Sequence, residues 1–324
     1  MRKHITVCAG IDTGKYKLDV AIDGSLEQFQ IDNTADGHAA LSVWLKRHKV
    51  NRVGIEASGG YEQQVVVGLR RDGFVVVVFQ PAQVRAYAGF LLQKAKNHKI
   101  DARLIAACTA AIKKIHAPPD DRLAPFAARM TLIEQLTDQV ACYKCYREGC
   151  REPQIQQFWK AEIARLNKLL RAELKDLAAA IRQHRDLAER LDLIESVDGV
   201  GLKTAVAILV RMPEIGQVTR EQAAALVGFA PYDDDSADYV GKRHIAGGRK
   251  RLPTSLYAAA LPAAFHWNPQ LKVLYKRLIA KGKPHKVALV ACARKLLIYV
   301  NTDVERGTPW TNGLPAHMTA SRTS

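Results

Sequence analysis

The sequence predicts a chain of three parts: an α/β amino-terminal domain, a long helical segment, and a mainly α-helical carboxyl-terminal region. Short apolar runs alternate with helical patterns over the first part. The stretch from about 126 to 195 contains a single proline, Pro153, and helical patterns resume beyond a glycine-rich turn. The expected boundaries are 1–120, 121–195 and 196–302, with a flexible tail at 303–324.

The α/β domain is predicted as strands and helices that alternate along the chain. Residues 5–12 and 17–23 form two adjacent strands joined at Thr13-Gly14, and residues 27–32 supply a third. The later elements are, in order, a helix capped by Thr34 or Asp36, a strand at 52–56, a helix after Gly60, an apolar strand at 74–79 closed by Pro81, and a helix over about 99–115. This order indicates a parallel or mixed sheet.

The middle segment carries apolar residues at spacings of three and four, which predicts a long amphipathic helix with coiled-coil character. A helical hairpin within one chain and an arm for self-association are both compatible with this pattern. The residues that define it are Ile163, Leu166, Leu170, Leu174, Leu177 and Ile181.

The composition favours a polyanionic partner. Among 324 residues there are 48 Lys and Arg against 32 Asp and Glu, a formal net charge of +16. Nucleic acid and an anionic membrane surface both satisfy such a charge. No apolar run approaches the length of a membrane span, and the amino terminus does not resemble a signal peptide, so a cytoplasmic protein is expected.

The positive charge is concentrated near the carboxyl terminus. Between Asp238 and Asp303 there is no acidic residue, which favours contact with phosphates over a merely solvated surface. The turn at Gly199 and Gly201, followed by Lys203, resembles the hairpin of helix-hairpin-helix DNA-binding modules, whose backbone N–H groups bind phosphate. The other candidate nucleic-acid contacts are Lys242, Arg243, Arg249, Lys250 and Arg251.

The six cysteines are scattered, and only Cys142, Cys145 and Cys150 cluster. A structural zinc site needs four ligands, and no second cysteine or histidine pair follows them. Helix-packing thiols are therefore the favoured interpretation.

Three acidic residues are the candidates for chemistry: Asp12, Glu56 and Asp101. The first two end apolar strand patterns and the third begins a helix, so their carboxylates can meet. Carboxylate oxygens suit Mg²⁺. A strand acid, a second strand acid and a helix acid are the arrangement of ribonuclease H-like nucleases, in which two metal ions clamp the attacking and leaving oxygens.

Five segments extend this pattern: GIDTGKYKLDV, IEASGGYE, KNHKIDARLIA, LIESVDGVGLKTAVAIL and ALVGFAPYDDDSADYVGKRHIAGGRKRL. In order and spacing the chain resembles the DEDD transposases of insertion-sequence family 110 (IS110), from about residue 6 to 300. The resemblance implies a RuvC-like domain with four acids, a coiled-coil segment, and a transposase domain with a nucleophilic serine.

The resemblance assigns roles by position. Asp12, Glu56 and Asp101 match the first, second and fourth acids, and the serine falls on Ser236. His98 stands where the family has its third acid. It is three residues before Asp101, so the two share a helix face. Because imidazole is a softer ligand than carboxylate, Mn²⁺ becomes an alternative to Mg²⁺.

The implied reaction is attack of Ser236 on a DNA phosphodiester, giving a covalent phosphoserine and a free hydroxyl that later rejoins strands. The implied partners are donor and target DNA, a structured non-coding guide RNA, and further copies of the chain in a dimer or tetramer. Two alternatives remain open. A RuvC-like junction resolvase or nuclease needs the acids but not Ser236, and a non-catalytic nucleic-acid-binding protein needs neither.

Overall fold

A computed structural model describes residues 6–93, 98–113, 115, 120–232, 244–249 and 251–311, with only the backbone at 98 and 99. The chain divides into two compact units, residues 1–119 and residues 120–324. No helix among the described residues combines the length and the apolar character needed to cross a membrane.

The first unit is built on a five-stranded mixed sheet in the order β3-β2-β1-β4-β5. Strands β1, β2 and β3 form an antiparallel meander, and β4 and β5 continue the sheet in parallel with β1. The predicted α/β sheet is thereby confirmed. The strands are β1 (Cys8–Thr13), β2 (Lys17–Ile22), β3 (Gln28–Asp32), β4 (Arg52–Glu56) and β5 (Val75–Phe79).

The helices that connect or cover these strands are α1 (Ala35–Arg47), α2 (Gln63–Arg71), α3 (Pro81–Phe90) and α4 (His98–Ala111). The side chain of Thr34 caps α1 by accepting a hydrogen bond from the Gly37 N–H at 3.2 Å. The sequence did not predict α3. Pro81, expected to close a strand, instead occupies the first turn of this helix, where its missing N–H costs nothing.

One face of the sheet buries a core against α1 and α2. Ile11, Val53 and Ile55 are fully buried there and pack with Leu41 and Leu45 of α1. The opposite face is covered by α4, whose Ile105 belongs to a smaller cluster with Phe79. Two-sided burial explains why the central strands are apolar almost throughout.

The second unit begins with a helical hairpin of α5 (Leu123–Gly149) and α6 (Pro153–Arg182). Val140 on α5 packs with Ile163 and Leu166 on α6. The amphipathic helix predicted from its apolar spacing is confirmed, and its apolar stripe faces a helix of the same chain. Self-association through this hairpin stays a prediction.

Helices α7–α12, a π-helical turn and a short hairpin pack with this pair of helices around one shared core. Leu177 and Ile181 of α6 pack in the same cluster as Leu191 of α7 and Leu296 of α12, so the predicted boundary at 195/196 does not separate two cores. The elements are α7 (Arg185–Glu195), α8 (Leu202–Arg211), α9 (Arg220–Val227), β6 (Pro231–Tyr232), β7 (His244–Ile245), α10 (Leu252–Pro262), a π-helical turn (Ala263–Trp267), α11 (Pro269–Ala280) and α12 (His285–Arg306).

The described carboxyl terminus is ordered further than the sequence predicted. Helix α12 continues to Arg306, and the Trp310 ring lies 4.7 Å from the Tyr299 ring. The Trp310 N–H also donates to the Ser196 hydroxyl at 2.9 Å. The tail expected to begin at residue 303 was therefore placed too early. Residues 312–324 lie outside the described part.

Candidate active site

Asp12 and Glu56 occupy equivalent positions on the two central parallel strands. Ile11 of β1 pairs with Ile55 of β4 in the parallel register, so the next residue along each strand is the acid. Neighbouring strands lie about 4.8 Å apart and side chains alternate between faces, so both acids lie on the sheet face opposite the α1/α2 core. Both are partly exposed, whereas Ile11 and Ile55 are fully buried.

Helix α4 lies directly on that face because two glycines leave room for it. A Cβ added at Gly10 would meet the backbone of Ala102 and Ala106, and a Cβ added at Gly54 would meet the Thr109 hydroxyl. Such contacts are too close for any real side chain. The sequence signal was available, as each glycine stands two residues before an acid, but spacing alone does not reveal a helix above it.

The direction of α4 is fixed by Arg52 at the start of β4. The guanidinium donates to the carbonyls of Thr109 and Ile112, at 3.4 and 3.2 Å, and so binds the carboxyl end of the helix. Asp101 lies in the first turn of α4, at the opposite end of the helix from these carbonyls. The sheet sets Asp12 and Glu56 side by side on the face that α4 covers, and the meeting of Asp101 with them stays a prediction.

His98 is the first residue of α4. Its side chain lies outside the described part, so its predicted roles as metal ligand and proton carrier stay predictions.

The donor set at this edge suits a hard divalent cation. Within the part of the chain that the structure describes, no three Asp, Glu, His or Cys side chains are grouped closely enough to enclose a metal. Mg²⁺, however, is normally held by one or two carboxylates together with water and substrate phosphates. Asp12 and Glu56, on adjacent strands and on one face, supply that minimum.

The loop after Glu56 is organised by Glu62, a residue that the sequence analysis missed. One carboxylate oxygen of Glu62 accepts hydrogen bonds from the N–H and hydroxyl of Ser58 and from the N–H of Gly60, at 2.9–3.1 Å. Gly59 and Gly60 have φ of 79° and 112°, which favour glycine. The segment Ser-Gly-Gly-Tyr-Glu is thus a fixed turn beside the candidate site.

The predicted phosphate-binding turn of the second unit has a packing role instead at Gly199. Its φ is 98°, and an added Cβ would collide with Ala263. Lys203 points into the unit, where its ammonium donates to the Thr137 hydroxyl at 2.5 Å, and burial lowers its pKa. Gly201, the residue that precedes α8, has open space around it. Phosphate contact at this turn stays a prediction, and the geometry favours only Gly201.

Arg249 and Arg251 are also engaged internally. The Arg249 guanidinium forms a fork with Glu214, at 2.6 and 2.8 Å, and donates to the carbonyl of Arg211 at 2.7 Å. Arg251 pairs with Asp138 at 3.1 Å. Nucleic-acid contact by these two arginines stays a prediction, as it does for Lys242, Arg243 and Lys250, which lie outside the described residues.

Ser236 also lies outside the described residues, in the segment that joins β6 to β7. The strands that flank this segment are anchored at their base. Gly228, the left-handed residue after α9, contacts Gly247, and an added Cβ at Gly248 would meet the backbone of Val227 and Gly228. The Arg249 N–H donates to the Leu226 carbonyl at 3.0 Å. The residues that follow β7 are therefore attached to the end of α9.

A mixed sheet with carboxylates at the ends of its central strands, followed in sequence by a basic helical unit, is typical of enzymes that act on nucleic-acid phosphodiesters. Comparison with known proteins gives the family. Residues 9–143 match the DEDD transposases of IS110, and residues 191–276 match the transposase family IS116/IS110/IS902. The chain belongs to the IS110 family of transposases, and it is a DNA recombinase.

Three relatives support this assignment. The pilin gene-inverting protein of Moraxella bovis is 24% identical over 319 residues, covering 93% of this chain and 96% of the relative. Its counterpart in Moraxella lacunata has the same identity and coverage. An uncharacterized IS110 protein of Streptomyces coelicolor is 28% identical over 126 residues, 38% of this chain and 31% of the relative.

Proposed function

We propose that this recombinase cuts and rejoins DNA with a metal held by the acids Asp12, Glu56 and Asp101 of the first unit and with Ser236 of the second unit as the nucleophile. The observation that carries the proposal is the parallel register of β1 and β4, which sets Asp12 and Glu56 side by side on one face. The family match over residues 9–143 supports their role, and the match over 191–276 includes Ser236.

The acids would hold Mg²⁺, with Mn²⁺ as an alternative if His98 joins them. A cation there would stabilise the negative charge that develops on the phosphate. Asp12 and Glu56 would be oriented for this by the sheet, and Asp101 by the contact of α4 with Gly10 and Gly54.

The serine would act in two balanced steps. Its hydroxyl oxygen forms a bond to phosphorus, its proton leaves to a base or to solvent, and the bond from phosphorus to one deoxyribose oxygen breaks. That oxygen takes up a proton and becomes a free strand end. In the second step a strand hydroxyl loses its proton and forms a bond to phosphorus, the bond from phosphorus to the serine oxygen breaks, and that oxygen takes up a proton. One phosphodiester is exchanged for another, so no ATP is needed.

The finer choice of substrate follows from the relatives and the charge. The Moraxella relatives are named for inverting a pilin gene, and we propose site-specific recombination between two DNA sites for this chain. A net charge of +16 is compatible with holding a guide RNA together with donor and target DNA. Strand exchange between two DNA duplexes requires at least a dimer of this chain and is compatible with a tetramer. Sequencing of the RNA that co-purifies with the protein tests whether a guide RNA is bound.

The decisive experiment traps the covalent intermediate. Wild-type protein and a nicked suicide substrate carrying an element end should give a protein–DNA adduct in Mg²⁺ or Mn²⁺. Ser236→Ala and Asp12→Asn should each lose it by about 10²–10³-fold or more, as expected when a nucleophile or a charge-stabilising group is removed. An adduct that persists in Ser236→Ala would refute the serine assignment.

The same experiment separates the alternatives. Metal-dependent cleavage that Asp12→Asn abolishes, with no adduct in wild type, identifies a resolvase or nuclease. DNA binding without cleavage under either metal identifies a non-catalytic binding protein.

A further inference from the structure

Strand β2 places another carboxylate beside Asp12. In the antiparallel pairing of β1 with β2, Asp12 stands directly opposite Asp19. Directly opposed residues share a face and have Cβ atoms about 4.5–5.5 Å apart. Asp19 is only 8% exposed, which is unusual for a carboxylate, and it lies on the α4 side of the sheet beside Ala102.

A hydrogen-bonded relay from β3 orients this carboxylate. Gln30 pairs with Asp19 in the register, and its amide nitrogen donates to an Asp19 oxygen at 2.9 Å. The amide oxygen of Gln30 accepts from the Lys17 ammonium at 3.3 Å. Because an ammonium can only donate, the Lys17 contact fixes which end of the Gln30 amide faces Asp19.

Asp12 and Asp19 bring two negative charges to one face of the sheet, and like charges directly opposite each other destabilise a sheet. The Lys17 ammonium lies on the far side of the Gln30 amide from Asp19. A divalent cation beside Asp12 would offset the repulsion between the two carboxylates.

We propose that Asp19 is a positioning residue of the candidate centre: held by Gln30, it orients Asp12 and supplies the negative charge that His98 does not provide at the third acid position. This inference rests on the proposed function of Asp12. It assigns to β2 and β3 a part in metal affinity that the three predicted acids do not include.

The test is to measure Mn²⁺ binding to the full-length protein without DNA, either by calorimetry or from the electron paramagnetic resonance signal of free Mn²⁺. Loss of groups that orient metal ligands typically costs 10–100-fold in metal affinity. Asp19→Asn should weaken Mn²⁺ binding by about that factor, and Gln30→Leu by about tenfold. Asp23→Asn removes one exposed charge at the other end of β2 and should leave the affinity unchanged.

The outcomes distinguish this inference from the proposed function. If wild type binds Mn²⁺, Asp12→Asn does not, and Asp19→Asn binds like wild type, the inference is wrong while the metal site stands. If wild type fails to bind, or Asp12→Asn binds unchanged, the metal site itself is wrong. Should Asp19→Asn fail to fold by circular dichroism, Gln30→Leu decides: wild-type affinity in that folded variant overturns the inference.

Discussion

The acids of the first unit and the basic residues of the second unit occupy different environments in the fold. Asp12 and Glu56 end buried strands and stand side by side at a sheet edge. Lys203, Arg249 and Arg251 instead bind groups of their own unit. An acid at the end of an apolar strand has its position fixed by the strand, whereas a basic residue in a charged run is equally suited to an internal ion pair and to a phosphate.

Glu134 is the most buried partner of the arginines in the second unit. Its carboxylate is 6% exposed and forms a fork with Arg211 at 2.6 and 3.1 Å, and Arg251 approaches at 3.4 Å. Glu134→Gln leaves these guanidinium groups partly buried without their counter-charge. We expect a loss of about 3 kcal/mol in the free energy of unfolding, measured by denaturant titration.

A matched control is Glu173→Gln, which breaks the more exposed pair with Arg129 and should cost less than about 1 kcal/mol. A loss in Glu134→Gln as small as that in the control would mean that the ion pairs of Glu134 contribute little to stability. The basic residues around Glu134 would then be better candidates for contact with nucleic acid.

The placement of α4 on the sheet is tested at Gly54. An added methyl group would meet the Thr109 hydroxyl and the Phe79 ring, so Gly54→Ala should destabilise the protein by about 1–3 kcal/mol and displace α4. Thermal melting measures the effect. Gly68→Ala, in helix α2 with open space around it, should instead stabilise by up to about 1 kcal/mol. A neutral Gly54→Ala would contradict the close contact of α4 with β4.

Asp303 is a buried carboxylate in the second unit. It is 8% exposed, one of its oxygens has no hydrogen-bond partner, and burial raises its pKa to about 6, although Arg306 opposes this. The folded state therefore binds a proton more tightly than the unfolded chain, whose carboxyl has a pKa near 3.8. Stability should fall as pH rises from about 4 to 6, by about 1–2 kcal/mol.

Asp303→Asn should remove this fall and exceed wild type in melting temperature at pH 8. Parallel pH profiles in wild type and variant would show that Asp303 is not the titrating group.

The sequence predicted the parts of the fold that depend on local pattern. The strands that end at Asp12 and Glu56 and the amphipathic helix around Leu166 were all recognised from periodicity. Helix α3 was missed because Pro81 is compatible with both a strand end and a helix start. The role of Asp19 could not be predicted either, since it depends on the register between β1 and β2, which residue spacing does not specify.

We expect the sheet edge that carries Asp12 and Glu56 to bind the catalytic metal. Anomalous diffraction from crystals of the protein grown with Mn²⁺ and DNA would show this site. An anomalous peak should lie within coordination distance of carboxylate oxygens of Asp12 and Glu56. A Mn²⁺ peak on DNA phosphates elsewhere, with both carboxylates uncoordinated, would contradict this expectation.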